Sequence, residues 1–458
     1  MAAASVLKNR PMDFDETVSD RWTVGQLGRA VVWVCVAAVG LINTLDVNTG
    51  GVGAEESVGL DSVVAVKLAL AGLCGLVALV GLASMPTARY LLGRGPGLLL
   101  VGLGGVLIAT SAFAVPEVAT VSRIASVLMG VYLGFAAVSL SVLGGRSMMR
   151  ALLCGLIVNV LANWVIYLGF ESIGVFTEDL GDGVLVRRMG GLGHPNAIAR
   201  AAVLSSLIVV AIGRWRGREN GGLRGSFWSP GAAAVHLLTL ATLYATVSRT
   251  AVVAGAAGVA MMVLDRLWSR RGAALGIAGL AALLIAVGFG WMWRDHAART
   301  GGGVVGAVTK TGDVSELTTA TGRTEIWTEA IRLIAGRPLT GYGLNSAPVM
   351  LEDFSYHTHN ALLHAAFSGG IVAGAVMALL LLWNAVFGLT DREAWVRGIT
   401  AFLLVSCLFE DTVLETFAGP PTIVWMVVLL MPALRSIGNG YNGPGINVSA
   451  TNFQAINS

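Results

Sequence analysis

Apolar runs long enough to cross a bilayer recur along almost the whole of this chain. A helix rising about 1.5 Å per residue needs about 17 to 25 apolar residues to span the hydrocarbon core. Such runs fall near residues 28–46, 64–84, 98–114, 125–143, 149–170, 196–213, 231–247, 250–266, 273–292, 360–387, 395–411 and 419–436. Inside a bilayer the backbone must satisfy its own hydrogen bonds, so the runs predict an all-α integral membrane protein with about 12 transmembrane helices. Composition agrees, with 55% of residues hydrophobic and 12% charged.

One run needs a decision. "AAAVHLLTLATLYATVSRTAVVAGAAGVAMMVL" could be one very long helix or two short ones broken at Ser248-Arg249-Thr250. The flanking segments "RWRGREN" and "DRLWSRR" are both basic, and the positive-inside rule puts both in the cytoplasm only if the chain crosses twice between them. With both termini cytoplasmic, the inner segments collect about eighteen of the 30 Lys and Arg. The predicted organisation is a cytoplasmic segment 1–27, nine spans within 28–292, a long periplasmic loop 293–359, three spans within 360–436, and a disordered Gly/Asn/Ser-rich cytoplasmic tail 437–458. The polar leader precedes the first run without a small-residue cleavage site, so that run is expected to stay as an anchor.

Several functions are excluded at this level. The net charge is +3 and the basic residues are scattered between apolar runs, which does not support nucleic-acid binding. Cys35, Cys74, Cys154 and Cys407 all fall in apolar stretches without C-x-x-C pairing, so they are expected to be small core residues rather than disulfides or thiolate ligands.

The sidedness sends the unusual polar residues outward. "VRRMGGLGHPN" (186–196) lies in one outer loop, Arg249 in a tight outer turn, and "FEDTVLET" between the last two spans. An arginine at headgroup depth needs an anion, either lipid phosphate or a bound group. Residues Thr321 to Gly336 predict a short amphipathic helix in the long loop, stopped by Gly336 and Pro338. Arg323 falls in line with Trp327, Ala330 and Ile334 on its apolar face, where it can meet an anion or pair with Glu325 or Glu329. His357, His359 and His364 cluster where the chain re-enters the membrane. His357 and His364 are seven apart rather than the four that a helical zinc pair uses, so no shared metal is expected. At the interface an imidazole is suited to act as a general base, with His364 deeper and structural.

Taken together, "RRMGGLGHPNAIA", "SRTAVVAG", "GRTEIWTEAIRLIAGRPLTGYG" and His359-Asn360 followed by Gly370 resemble the O-antigen ligase and polymerase superfamily. These are membrane glycosyltransferases that move glycans off polyprenyl diphosphate at the outer face of the bacterial inner membrane. The chain departs from the ligase signature at Ala373, where a second glycine is expected. The resemblance implies a multi-pass inner-membrane enzyme of lipopolysaccharide or other cell-envelope polysaccharide biosynthesis, without cofactor or metal. It implies an undecaprenyl-type diphosphate donor, a glycan or lipid A-core-like acceptor, and an active site facing the periplasm. His359 would be the catalytic base. Arg249, Arg323 and Arg188 would hold the diphosphate, supported by His357, Asn360, Asn196 and Glu415. The rival class is a secondary transporter of an anionic lipid-linked or soluble substrate, which would bind near the membrane midplane between repeats.

Overall fold

The computed structural model describes residues 25–45, 62–179, 185–219, 229–267, 323–352, 355, 357–391 and 393–438. The predicted span 273–292, most of the N-terminal segment, the first half of the long loop and the tail beyond 438 lie outside the described residues. What is described is mostly helical. In chain order the helices are α1 (Gln26–Ile42), α2 (Ser62–Ser84), α3 (Pro86–Leu92), α4 (Pro96–Thr110), α5 (Ala119–Gly169), α6 (Glu171–Gly174), α7 (Pro195–Glu219), α8 (Pro230–Thr246), α9 (Arg249–Leu267), α10 (Arg323–Gly336), α11 (Ala347–Met350), α12 (Ala361–Trp383), α13 (Ala394–Phe409) and α14 (Pro420–Gly438). Among the described residues, six helical stretches are long and apolar enough to cross a membrane by length and composition, and three shorter apolar helices accompany them.

The side chains divide as lipid and core demand. Leu79, Leu168, Leu237 and Leu382 are exposed, whereas Tyr132, Phe135, Trp395, Phe402 and Trp425 are fully buried. Between helices in lipid there is no hydrophobic drive, because acyl chains are as apolar as leucine, so the bundle holds through close packing and interior hydrogen bonds. Asn43 Nδ2 provides two of these, donating to the Tyr132 hydroxyl at 3.0 Å and to the Ala418 carbonyl at 2.9 Å. They tie the end of α1 to α5 and to the loop before α14.

Two breaks shape the bundle. α5 contains two helices that meet at Gly144, whose φ of 70° and ψ of 165° suit a residue without a Cβ. The predicted runs 125–143 and 149–170 are these two halves. In α12 the break falls at Gly369 and Gly370, the latter at φ 76°. A helix broken within a membrane frees backbone groups that must be paired. Here the "PLTGYG" turn supplies the partners: Tyr342 N–H donates to the Phe367 carbonyl at 2.9 Å, Gly343 N–H to Ser368 at 2.9 Å, and Ile371 N–H to the Pro338 carbonyl at 2.7 Å.

That junction anchors α10. Ile326, Ala330 and Leu333 form its buried face, packed with Val115, Tyr342 and Phe367 in a small second core, and Tyr342 stacks on Phe367 at 5.2 Å. The amphipathic helix expected from Thr321 onward is therefore present from Arg323, with residues 321 and 322 outside the described set.

Three features differ from the sequence expectation. The outer loop 171–195 contains an antiparallel hairpin, β1 (Val175–Asp179) and β2 (Leu185–Met189), in which Phe176 faces Arg188 and Thr177 faces Arg187. Its strands are too short and polar to show a clear alternation. The break between α8 and α9 lies one residue early, at Val247 and Ser248, with Val247 at φ 51°. Cys154 is exposed on α5 rather than in the core, while Cys35, Cys74 and Cys407 are buried as expected. A thiol is apolar enough to face lipid as readily as protein.

Candidate functional site

The loop between α13 and α14, residues 410–419, gathers partners for Glu410 from three separate parts of the chain. Glu410, only 5% exposed, is at the centre. Its Oε1 accepts from Arg323 Nη2 at 3.3 Å and Asn196 Nδ2 at 3.1 Å, and its Oε2 lies 3.3 Å from His359 Nδ1 and 3.6 Å from Arg200 Nη1. α10 presents Arg323, α7 presents Asn196 and Arg200 from its first two turns, and the segment leading into α12 presents His359. Burial alone would raise the Glu410 carboxyl, but the His359 hydrogen bond and the Arg200 and Arg323 charges hold it below the usual carboxylate range.

His359 is held in an unusual conformation. Its φ of 50° is left-handed, uncommon for a residue with a Cβ, and it occurs directly before the helix cap. Asn360 is that cap: its Oδ1 accepts from the Leu362 and Leu363 N–H groups at 3.0 Å each, and its Nδ2 donates to the Leu408 carbonyl at 3.2 Å. The imidazole is thereby aimed at Glu410 through Nδ1, while Nε2 lies 3.2 Å from the Ser355 hydroxyl. With Nδ1–H donating to the carboxylate, Nε2 presents its lone pair toward the Ser355 hydroxyl, the tautomer that a general base needs.

Asp411 holds the other two histidines. His357 Nδ1 is 3.2 Å and His364 Nδ1 is 3.9 Å from Asp411 Oδ2. The Asp411 charge, acting against burial, raises His357 to about 9, so this ring is an imidazolium at neutral pH. Asp411 itself, though buried, is held far below the usual carboxylate range by His357. His364 is buried on α12, as expected of the deeper histidine. Among the described residues, no group of three or more His, Cys, Asp and Glu is arranged to hold a metal ion.

The remaining predicted residues surround this centre. Arg188, buried on β2, donates through Nε to the Thr246 carbonyl at 2.7 Å and through Nη2 to Asn196 Oδ1 at 2.9 Å. It therefore fastens the α8–α9 turn, whose next helix opens on Arg249, and it joins that turn to Glu410 through Asn196. Arg187 by contrast is exposed and paired with Glu171. Glu415 Oε1 lies 3.5 Å from Arg200 Nη2, and its Oε2 accepts from the Gly419 N–H at 3.1 Å. Burial pushes the Glu415 carboxyl up to about 7 despite Arg200. Arg323 also lies over the Phe409 ring at 5.6 Å. Its partner is Glu410, not the Glu325 or Glu329 of its own helix, and Glu329 pairs with Arg332 instead.

One member of the site, Arg200, escapes sequence reasoning, and a second, Glu410, is legible with Asp411 and Glu415 only as a group able to orient the arginines or the acceptor. Arg200 lies within an apolar run, in "NAIARAAVL", and a charge there is a signal in itself, since such residues are expensive unless paired. Glu410 stood out only as a charge at a span end. Nothing local connects it to residues 214 and 87 positions away.

Fold and site together define a polytopic helical membrane protein that concentrates buried arginines, carboxylates and an oriented histidine around the α13–α14 loop. The family model described as O-Antigen ligase matches residues 234–378, about a third of the chain. No curated relative matches the chain. The matched stretch carries Arg249, Arg323, His357, His359 and Asn360, whereas Arg188, Asn196, Arg200 and Glu410 come from the flanking sequence.

Proposed function

We propose that the protein transfers a glycan from a polyprenyl-diphosphate carrier to an acceptor hydroxyl at the periplasmic face of the bacterial inner membrane, as an O-antigen ligase or polysaccharide polymerase does. The observation that carries this reading is the joining of His359 and Arg323 through one buried carboxylate, Glu410. It supports the reading by bringing an imidazole suited to act as a base and a cation suited to phosphate to the same carboxylate.

The reaction then proceeds without covalent help from the protein. His359 Nε2 takes the proton from the acceptor hydroxyl. The oxygen forms a bond to the anomeric carbon of the donor sugar, and the bond from that carbon to the diphosphate oxygen breaks. The electron pair leaves with the polyprenyl diphosphate. Arg323, Arg249 and Arg200 stabilise the charge developing on it, because guanidiniums offer paired donors to phosphate oxygens. Arg188 adds charge while holding the Arg249 turn in place. His357, cationic beside Asp411, is unsuited to accept a proton, which favours His359 as the base. Asn360 sets the His359 backbone, and Asn196 and Glu415 orient the arginines.

The test is reconstitution. Purified protein in proteoliposomes, given a polyprenyl-diphosphate-linked oligosaccharide and a lipid A-core or glycan acceptor, should yield the joined product and free polyprenyl diphosphate. Donor consumed at the rate of protein-free vesicles with every acceptor class would refute the reading.

A further inference from the structure

We propose that Glu410 is a resident counter-ion, displaced from Arg323 and Arg200 when the donor's diphosphate binds, and that this exchange makes His359 a stronger base only in the loaded site. The inference rests on the glycan-transfer reading above and concerns how that site is switched on.

The carboxylate is overcommitted. Each oxygen serves two partners, Arg323 and Asn196 on Oε1, Arg200 and His359 on Oε2. The three charged contacts are 3.3, 3.6 and 3.3 Å, longer than the about 2.7 to 2.9 Å of a well-made charge-assisted hydrogen bond. One negative charge is thus divided among two guanidiniums and an imidazole, with none at its best geometry. A diphosphate brings more charge and more acceptor oxygens to the same guanidiniums, and a planar fork meets phosphate as well as it meets carboxylate. Glu410, buried behind them, occupies in the empty site the electrostatic role that the diphosphate takes in the loaded one.

The exchange acts on His359 from both sides. In the empty site His359 faces positive charge from Arg323 on α10, Arg200 on α7 and the neighbouring His357 imidazolium, with ring centroids 6.0 Å apart. Glu410 and Asp411 from the α13–α14 loop face it as negative charge, but Glu410 is shared and Asp411 pairs with His357. Diphosphate neutralises the arginines and leaves Glu410 to His359 alone. The proton affinity of Nε2 then rises when a sugar is in place to be transferred. Glu410 is by this account a positioning residue that acts through His359 and the arginines.

Glu410→Gln keeps shape and removes charge. In full-length protein reconstituted in nanodiscs, its affinity for undecaprenyl diphosphate, measured without glycan, should rise about tenfold or more, because a close competing charge is gone. Its kcat in transfer should fall about 10²-fold, because the base has lost its partner. A merely structural role would weaken both together. In wild type, the acid limb of kcat at saturating donor should lie at higher pH than that of kcat/KM for the donor, and the separation should shrink in Glu410→Gln, where only the neutralisation of the arginines remains. If Glu410→Gln does not fold, Glu410→Asp, whose shorter arm draws the carboxylate away from the arginines, should still bind the diphosphate more tightly than wild type. Weaker or unchanged diphosphate binding in the folded variant, or coincident limbs in wild type, overturns the proposal while leaving the transfer reading intact. Wild-type protein that neither binds undecaprenyl diphosphate nor transfers glycan overturns both.

Discussion

Replacing Arg323 separates charge from geometry at the donor site. The side chain is 17% exposed, donates to Glu410 at 3.3 Å, and lies over Phe409 at 5.6 Å. At that distance and an effective dielectric of about 20, two unit charges attract by roughly 5 kcal/mol, a gross figure from which desolvation subtracts. Glu410 keeps Arg200, Asn196 and His359 when Arg323 is gone, so the folding cost of Arg323→Ala should fall near or below the lower end of the about 3 to 5 kcal/mol typical of a broken buried pair. The functional cost is separate: a lost charge-assisted contact to the leaving diphosphate is worth about 1.5 to 3 kcal/mol, or about 10- to 150-fold in kcat/KM. Arg323→Lys should recover the fold but only part of the rate, because an ammonium has neither the planar fork nor the flat face that meets Phe409. The assay is glycan transfer by reconstituted protein, with thermal unfolding run in parallel to hold folding constant. Arg323→Ala that is folded and transfers at the wild-type rate would remove Arg323 from the donor site and leave it a structural tie for α10.

Four further outcomes are expected. Gly370→Ala should destabilise the protein by about 1 to 3 kcal/mol, since φ is 76° and an added Cβ would run into the Leu339 carbonyl, and an unchanged melting temperature would contradict the kink geometry. His357, raised to about 9, contributes stability that is complete below its usual 6.5 and is lost as pH rises through about 9, while depressed Asp411 contributes above its usual 3.8 and loses its contribution only on strong acidification. Wild type should therefore exceed His357→Gln in thermal stability at pH 6 by a small margin, since the ring is 59% exposed, and the two should converge above pH 9. Cysteines introduced at Glu171 and Arg332, exposed positions in the two long outer segments, in a cysteine-free background should react with an impermeant maleimide from the periplasmic side, and labelling only after permeabilisation would invert the proposed orientation. Asn360→Ala should cost about 1 kcal/mol of helix cap and also slow transfer, with Asn360→Asp restoring the cap more than the rate, and full activity in Asn360→Ala would show that His359 does not depend on it.

The helices were legible wherever an apolar run had a clear length and a polar or glycine break, because in a bilayer length and polarity nearly determine the answer. That is why the two halves of α5 and the α8–α9 pair could be read, the latter from basic flanks alone. The β1–β2 hairpin could not, because it is a polar connection whose pairing depends on neighbours. Arg249, Arg323 and the histidines could be singled out because each is a polar residue where an apolar one is expected. Their common partner could not. Glu410 is defined by its distances to Asn196, Arg323 and His359, elements brought together only when α7, α10 and α12 pack around the α13–α14 loop. Arg200 was open to discovery by the same logic that found Arg249, as a charge inside an apolar run. The role of Asn360 as the cap of α12 also follows from its sequence, since an asparagine precedes an apolar helix at that point.

In the proposed reaction His359 is the base of a glycan transfer carried out without a metal. Its most direct test is the single-turnover rate of His359→Ala on donor already bound to the protein, measured in EDTA beside wild type and His357→Ala. Wild type should turn over in EDTA, and His359→Ala should bind polyprenyl diphosphate normally while its transfer step slows by about 10²- to 10⁴-fold. Near wild-type transfer by His359→Ala, with the loss appearing in His357→Ala or in wild type on chelation, would contradict it.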